Sequence, residues 1–222
     1  MKQTDLLKIA QTYGDPVYVY DTAKIVKQFN RLTAAFSGIK KLKLNYAAKA
    51  LSNIAILKLM NSLKSGLDTV SIQEVQLGLL AGFKPESIIF TPNGVSLEEI
   101  EEAAKLGVQI NIDNLSILEQ FGTKHPKTPV CIRINPHVMA GGNTNISVGH
   151  IDSKFGISIH QMPLLKRIVE NTGMNIRYPQ IARELGIQGK VYASFDGRTA
   201  SEGVWRRGRG RYPGLASKVP LL

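Results

Sequence analysis

Lys49 is the residue whose setting most invites chemistry. It stands in Asn45-Tyr46-Ala47-Ala48-Lys49-Ala50, just beyond a short apolar run and among small and apolar neighbours. A lysine in such a setting is partly desolvated, and desolvation favours the neutral, nucleophilic amine. The chemistry this allows is a Schiff base with an aldehyde cofactor or a carbonyl substrate. A plain surface lysine at a strand end is the alternative. Other polar residues recur at equivalent places along the chain. Asp68 lies late in the second apolar run, Asn93 follows the third, Asp113 follows the fourth, and Arg133 with Asn135 closes the fifth. The long stretch 135–156 has little pattern, is glycine-rich at Gly141-Gly142, and carries His137, His150, Lys154 and Phe155. Such loops in compact domains are functional or disordered. No pair of histidines has tight metal-ligand spacing, which argues against a metal site. His125 and His160 read as solvated residues, and Cys131, inside an apolar run, reads as a buried inert thiol.

The elements that must position these residues form a regular series. Apolar runs begin at Lys43, Gly66, Ser87, Gln109 and Val130, at intervals of 23, 21, 22 and 21 residues. They are short and several are rich in β-branched residues, so they predict buried strands. Helical periodicity fills the gaps, as in Ile54–Leu63. Ser71-Ile72-Gln73-Glu74 and Ser96-Leu97-Glu98-Glu99 fit capping boxes, and Gly82 and Gly107 fit helix stops. A last helix is expected over Met162–Asn171. Before the series, Val17-Tyr18-Val19-Tyr20 predicts a strand and Thr22–Phe36 a helix. Strand–helix–strand units at this spacing imply a parallel sheet, as a (β/α) barrel or a doubly wound sheet. The even interval and the missing Gly-x-Gly-x-x-Gly after the first strand favour the barrel, whose chemistry sits at the C-terminal ends of its strands.

Composition narrows the class. Of 222 residues, 43% are hydrophobic and 20% charged, which supports a packed core. No apolar run approaches the ~18–20 residues of a membrane span. The single cysteine excludes an internal disulfide framework, and the first residues lack a signal peptide's apolar stretch. These features lead to the expectation of a cytoplasmic protein. The net charge of +11 is uneven: residues 177–222 hold nine basic and three acidic residues, a different character from the rest.

Asn45-Tyr46-Ala47-Ala48-Lys49-Ala50 resembles the cofactor-lysine motif of the alanine-racemase-like pyridoxal-phosphate enzymes, and among them it is most similar to the diaminopimelate decarboxylases. Gly14-Asp15-Pro16-Val17-Tyr18-Val19-Tyr20-Asp21, Asp68-Thr69-Val70-Ser71-Ile72-Gln73-Glu74, Phe90-Thr91-Pro92-Asn93-Gly94, Asn111-Ile112-Asp113-Asn114, Arg133-Ile134-Asn135-Pro136 and His150-Ile151-Asp152-Ser153-Lys154-Phe155-Gly156 support the resemblance in one register. It runs over about residues 10–176. The resemblance implies an α/β fold, a (β/α)8 TIM-type barrel present here only through its first five to six units. It implies pyridoxal 5'-phosphate held by Lys49, with Asp68 and Arg133 in the polar network around it. His150 would bind cofactor too, in a loop over the site with Ser153-Lys154-Phe155-Gly156. The reaction implied is meso-2,6-diaminopimelate to L-lysine and carbon dioxide, a step of lysine biosynthesis. The family's ring-stacking histidine, phosphate loop, pyridine-nitrogen glutamate and C-terminal β-domain fall beyond the matched stretch. So do most contacts of its homodimer. The expectation is a partial barrel over 1–176 with little or no decarboxylase activity by itself.

Residues 177–222 are expected to form a separate basic tail. Tyr178 to Phe195 resembles the opening of the TonB C-terminal domain, over a helix–turn–strand only. Trp205-Arg206-Arg207-Gly208-Arg209-Gly210-Arg211-Tyr212-Pro213-Gly214 is read as disordered. Two other functions stay open at this level. One is a non-catalytic fragment that holds cofactor or pairs with a partner. The other is a basic chain whose arginines contact nucleic acid.

Overall fold

Five short strands lie side by side in the order in which the chain makes them, all parallel. They are β1 (Asn45–Ala47), β2 (Gly66–Thr69), β3 (Ile88–Phe90), β4 (Gln109–Ile112) and β5 (Val130–Ile132). The computed structural model describes residues 3–39, 42–137, 153–174 and 176. A doubly wound sheet reverses its strand order at a switch point, whereas a barrel lays each new strand outside the last. The unreversed order is therefore that of the first part of a (β/α) barrel, as the strand spacing predicts. The described residues do not close it. A parallel bridge from Val130 to Ile176 continues the series past β5.

Two helices precede the sheet, α1 (Gln3–Tyr13) and α2 (Thr22–Ala35). Between consecutive strands run α3 (Ile54–Ser62), α4 (Ile72–Leu80), α5 (Leu97–Lys105) and α6 (Leu115–Lys124). Their starts follow local chemistry. The Asn53, Ser71, Ser96 and Asn114 side chains each accept from a backbone N–H of the first turn. At Ser96 the box is reciprocal, with Glu99 accepting from the Ser96 N–H. Glu74 instead accepts from the Val70 N–H at 2.8 Å, one residue earlier than a box requires. Gly82 and Gly107 take φ of 91° and 75° and stop α4 and α5 where expected.

The pleat sends alternate side chains to opposite faces. On one face Leu67, Ile88, Phe90, Ile110, Ile112, Val130 and Ile132 are buried against the helices. Thr69 shares that face and donates to the Ile89 carbonyl at 2.9 Å, so its hydroxyl is satisfied in the core. The register places Ala47, Asp68, Ile89 and Gln109 in one row of the opposite face, and Asn111 and Cys131 pair with each other on that face, two residues further along the strands. That face is mixed and only half-buried. Cys131, expected to be buried, is 8% exposed.

After β5, the chain forms β6 (Ile134–Asn135), then β7 (Ile157–Ser158), which pair in parallel, and α7 (Met162–Thr172). The single strand expected over Val130–Ile134 is thus broken at Arg133. The Val17–Tyr20 segment corrects a second expectation. It has no strand assignment, and all four side chains are exposed, Tyr18 at 88%. Its β-branched and aromatic residues suit a strand, but a strand also needs a paired neighbour, and none of the described strands pairs with it. Residues 177–222, with the TonB-like stretch and the arginine run, lie outside the described residues. No helix among the described residues is long and apolar enough to cross a membrane.

Candidate active site

The polar residues expected at strand ends gather on the half-buried face, at the C-terminal edge of the sheet. Asp68, in β2, accepts from the Thr91 hydroxyl at 3.2 Å. Thr91 is fixed there by its N–H to the Thr69 carbonyl at 2.8 Å, which extends the β2–β3 ladder by one residue. Lys49 lies in a single 3₁₀ turn after β1, with Ala48 fully buried behind it. Lys49 and Arg133 both act on the Asp68 carboxylate.

Lys49 itself is exposed, which corrects the expectation of a desolvated amine. Its small neighbours anchor the backbone turn, but the described residues place no cover over the side chain. The apolar character of the local sequence is spent on the core behind it.

Arg133 sits between β5 and β6, its N–H bonded to the Ile112 carbonyl at 2.8 Å. Its guanidinium carbon lies 4.5 Å from the Phe155 ring centroid, a cation–π arrangement, with the Lys154 amine at 5.2 Å from the same centroid. Burial pulls the guanidinium below its ordinary value, while Asp113 and Asp68 oppose that pull. Asn93 links the loops on this side: its amide donates to Asp113 Oδ2 at 2.9 Å and to the Lys154 carbonyl at 3.1 Å. The structure therefore joins Asn93, Asp113 and Arg133 in one group and Lys49 with Asp68 in another, coupled through the charges of Asp68 and Arg133.

Thr91 and Asn111 had no role assigned from sequence; Thr91 bonds Asp68, and Asn111 bonds Thr91. The polar–apolar alternation of Gln109-Ile110-Asn111-Ile112 was the available signal for Asn111. Phe155 was expected only as part of a loop over the site; its ring lies against the Arg133 guanidinium. His150 lies outside the described residues. His125, expected to be solvated, is partly covered and meets Glu101 at 3.0 Å. His137 and His160 bring their rings to 5.0 Å. No group of three metal-ligating side chains occurs among the described residues.

Gly156 locks the segment that carries Phe155. Its φ is +81°, and a Cβ there would lie 2.8 Å from Asn135 N and 3.0 Å from Ile134 C, both backbone atoms. The adjoining Ile157 N–H bonds the Arg133 carbonyl at 2.8 Å. Gly156→Ala should cost about 2–4 kcal/mol in urea unfolding, from left-handed strain and overlap with backbone that cannot move aside. Gly94→Ala is the control, since Gly94 has φ +70° and open space around it. Equal losses in the two variants would refute the packing argument.

Burial raises the Asp68 carboxyl above its ordinary 3.8, against the Thr91 hydrogen bond and the charges of Lys49 and Arg133; Glu74 adds to the rise. The folded state thus binds the proton more tightly than the unfolded chain. Asp68 costs stability as pH rises from the unfolded value through the folded one, and the cost persists above it. Asp68→Asn keeps an acceptor for Thr91 and removes the charge. The variant should melt higher than the parent at pH 7, with the gap closing as pH falls below 3.8. Thermal unfolding across that range checks the sign, and a gap that widens in acid would contradict it.

Comparison with known proteins adds an independent line. The family model described as pyridoxal-dependent decarboxylase, pyridoxal binding domain, matches residues 22–177. A diaminopimelate decarboxylase from Methanothermobacter thermautotrophicus is 35% identical over 171 residues, 76% of this chain and 40% of that protein. One from Helicobacter pylori is 41% identical over 155 residues, 68% of this chain and 38% of that protein. The crystal structure of diaminopimelate decarboxylase from Helicobacter pylori complexed with L-lysine superposes with a TM-score of 0.68 at 35% identity, covering 78% of this chain and 44% of that one. This chain therefore spans about two fifths of the length of the curated relatives it matches.

Proposed function

The chain belongs to the pyridoxal-dependent decarboxylases through their pyridoxal-binding domain, and from that premise we propose that Lys49 holds pyridoxal 5'-phosphate in a site serving decarboxylation of meso-2,6-diaminopimelate to L-lysine. Residues 1–176 are the cofactor-binding unit of this reading, and 177–222 a separate basic tail. The observation that carries it is the convergence of an exposed primary amine, a half-buried carboxylate and a half-buried guanidinium on one polar edge of the sheet.

The donor set fits the cofactor chemically. The Lys49 amine matches its aldehyde, and Asp68 and Arg133 offer an acceptor and a donor to polar groups around it. When bound, the cofactor supplies an electron sink for a bond broken at the amino acid's Cα. The chain's own residues do the rest. Lys49 provides the amine that fixes the cofactor and can carry a proton to and from the reacting carbon. Asp68 sets a carboxylate beside that amine, with Lys49 and Arg133 both acting on it by charge. Arg133, stacked on Phe155 and faced by Asp113 and Asp68, keeps a fixed cation at the mouth of the sheet. His150 completes the cofactor contacts in this reading.

The exposure of Lys49 favours cofactor binding over fast turnover by these 222 residues alone, because bulk water reaches the amine and weakens every charge interaction there. The test is to incubate the purified chain with pyridoxal phosphate, reduce with borohydride and map the adduct by peptide mass spectrometry. One dominant adduct on the peptide containing Lys49 is expected. Labelling spread evenly over exposed lysines would overturn the assignment, and rapid diaminopimelate turnover would overturn the expectation of slow catalysis.

A further inference from the structure

Four side chains form a line across β2, β3 and β4 on the half-buried face. The Thr91 hydroxyl oxygen lies 3.2 Å from Asp68 Oδ1. Asn111 Nδ2 lies 2.9 Å from the same hydroxyl oxygen. Gln109 Nε2 lies 3.3 Å from Asn111 Oδ1.

The direction of these bonds follows from what each group can do. An ionised carboxylate only accepts, so the Thr91 proton must point at Asp68. The Thr91 oxygen then has lone pairs left for the Asn111 amide. Asn111 presents its nitrogen to Thr91 because its oxygen is occupied by the Gln109 N–H. Each donor thus points toward Asp68, and bonds aligned this way polarise one another. Were Asp68 protonated and donating, the line would lose this single direction.

We propose that Thr91 and Asn111 are positioning residues, a one-way donor relay that keeps Asp68 a carboxylate and fixes its Oδ1 within the field of Lys49. This rests on the reading of Asp68 as part of the cofactor site, which gives the carboxylate its purpose. Without such a purpose, a half-buried acid in β2 only costs stability. The relay opposes burial alongside the other charges facing Asp68, which are Lys49 after β1, Arg133 after β5 and, in the unfavourable sense, Glu74 on α4.

The test is a carboxyl ¹³C NMR titration of aspartate-labelled protein without pyridoxal phosphate, with the Asp68 signal assigned by its loss in Asp68→Asn. Thr91→Val keeps the side chain's volume and removes the donor. It should move the Asp68 midpoint upward, and Thr91→Ser should bring it back. Asn111→Leu should shift it the same way by less. An Asp68 midpoint unchanged in Thr91→Val, or no return in Thr91→Ser, would overturn the relay. If Thr91→Val does not fold, Asn111→Leu decides alone, and an unchanged midpoint there overturns it. The titration uses no cofactor, so a failed Lys49 trapping experiment would count against the cofactor reading and leave the titration result standing.

Discussion

Lys49→Ala removes the dominant borohydride-fixed pyridoxal adduct, by at least about tenfold, and leaves the melting temperature nearly unchanged. Both halves of this expectation come from the same geometry. The side chain is exposed and stands at the end of β1, in a turn whose packing depends on the buried Ala48. Truncating it removes no core contact, and surface substitutions of this kind usually stay within about 0.5 kcal/mol. The amine, in contrast, has no local substitute. Asp68 and Arg133 cannot form the carbon–nitrogen bond that an aldehyde needs. Losing Lys49 also strips Asp68 of one of the cations that oppose its burial, so the carboxyl should move further above 3.8. Lys58→Ala is the control, an exposed lysine on α3 away from the sheet edge. Persistence of the adduct in Lys49→Ala, or its loss in Lys58→Ala, would show that labelling follows exposure rather than site chemistry.

Phe90→Ala should cost about 3–5 kcal/mol, the usual loss for a buried phenylalanine cut to alanine. Phe90 is fully buried and ends β3, paired with Thr69 on one side and Ile110 on the other. The ring fills the layer between sheet and helices at the centre of the described strands, where neighbours on both sides are held by ladder bonds and cannot close the gap. Against a typical stability of about 5–15 kcal/mol, that loss leaves a marginal protein. The urea midpoint should fall steeply, and Thr91 and Asn93, within three residues after Phe90, should lose their fixed positions. Leu80→Ala provides the contrast, since Leu80 is 71% exposed and should change little. Similar midpoints for the two variants would mean that the helix-facing side of the sheet is not the main core.

The spacing of about 22 residues, the capping serines and the stopping glycines made the strand–helix series legible, because each signal is local. A Ser side chain reaches its own helix's first turn, and a glycine adopts φ above zero wherever it stands. The common edge of Asp68, Asn93, Asp113 and Arg133 followed directly, since a parallel sheet gathers the C-terminal ends of all its strands on one side. The family resemblance of Lys49 and its neighbours was legible for the same reason, as a contiguous pattern.

Tertiary structure decided what depends on neighbours far apart in sequence. Val17–Tyr20 has the residues of a strand, yet pairing needs a second backbone that no local pattern supplies. Lys49 sits among apolar residues in sequence and is exposed in space, because burial is conferred by what covers a side chain. The bond from Thr91 to Asp68, the bond from Asn111 to Thr91, and the Phe155 ring beneath Arg133 arise from register and from a segment returning about twenty residues later. The chain's own sequence therefore determined the elements and the edge on which chemistry would gather. Only the packed sheet decided which of those residues touch, because hydrogen bonds and charges act over a few ångströms of space and take no account of distance along the chain.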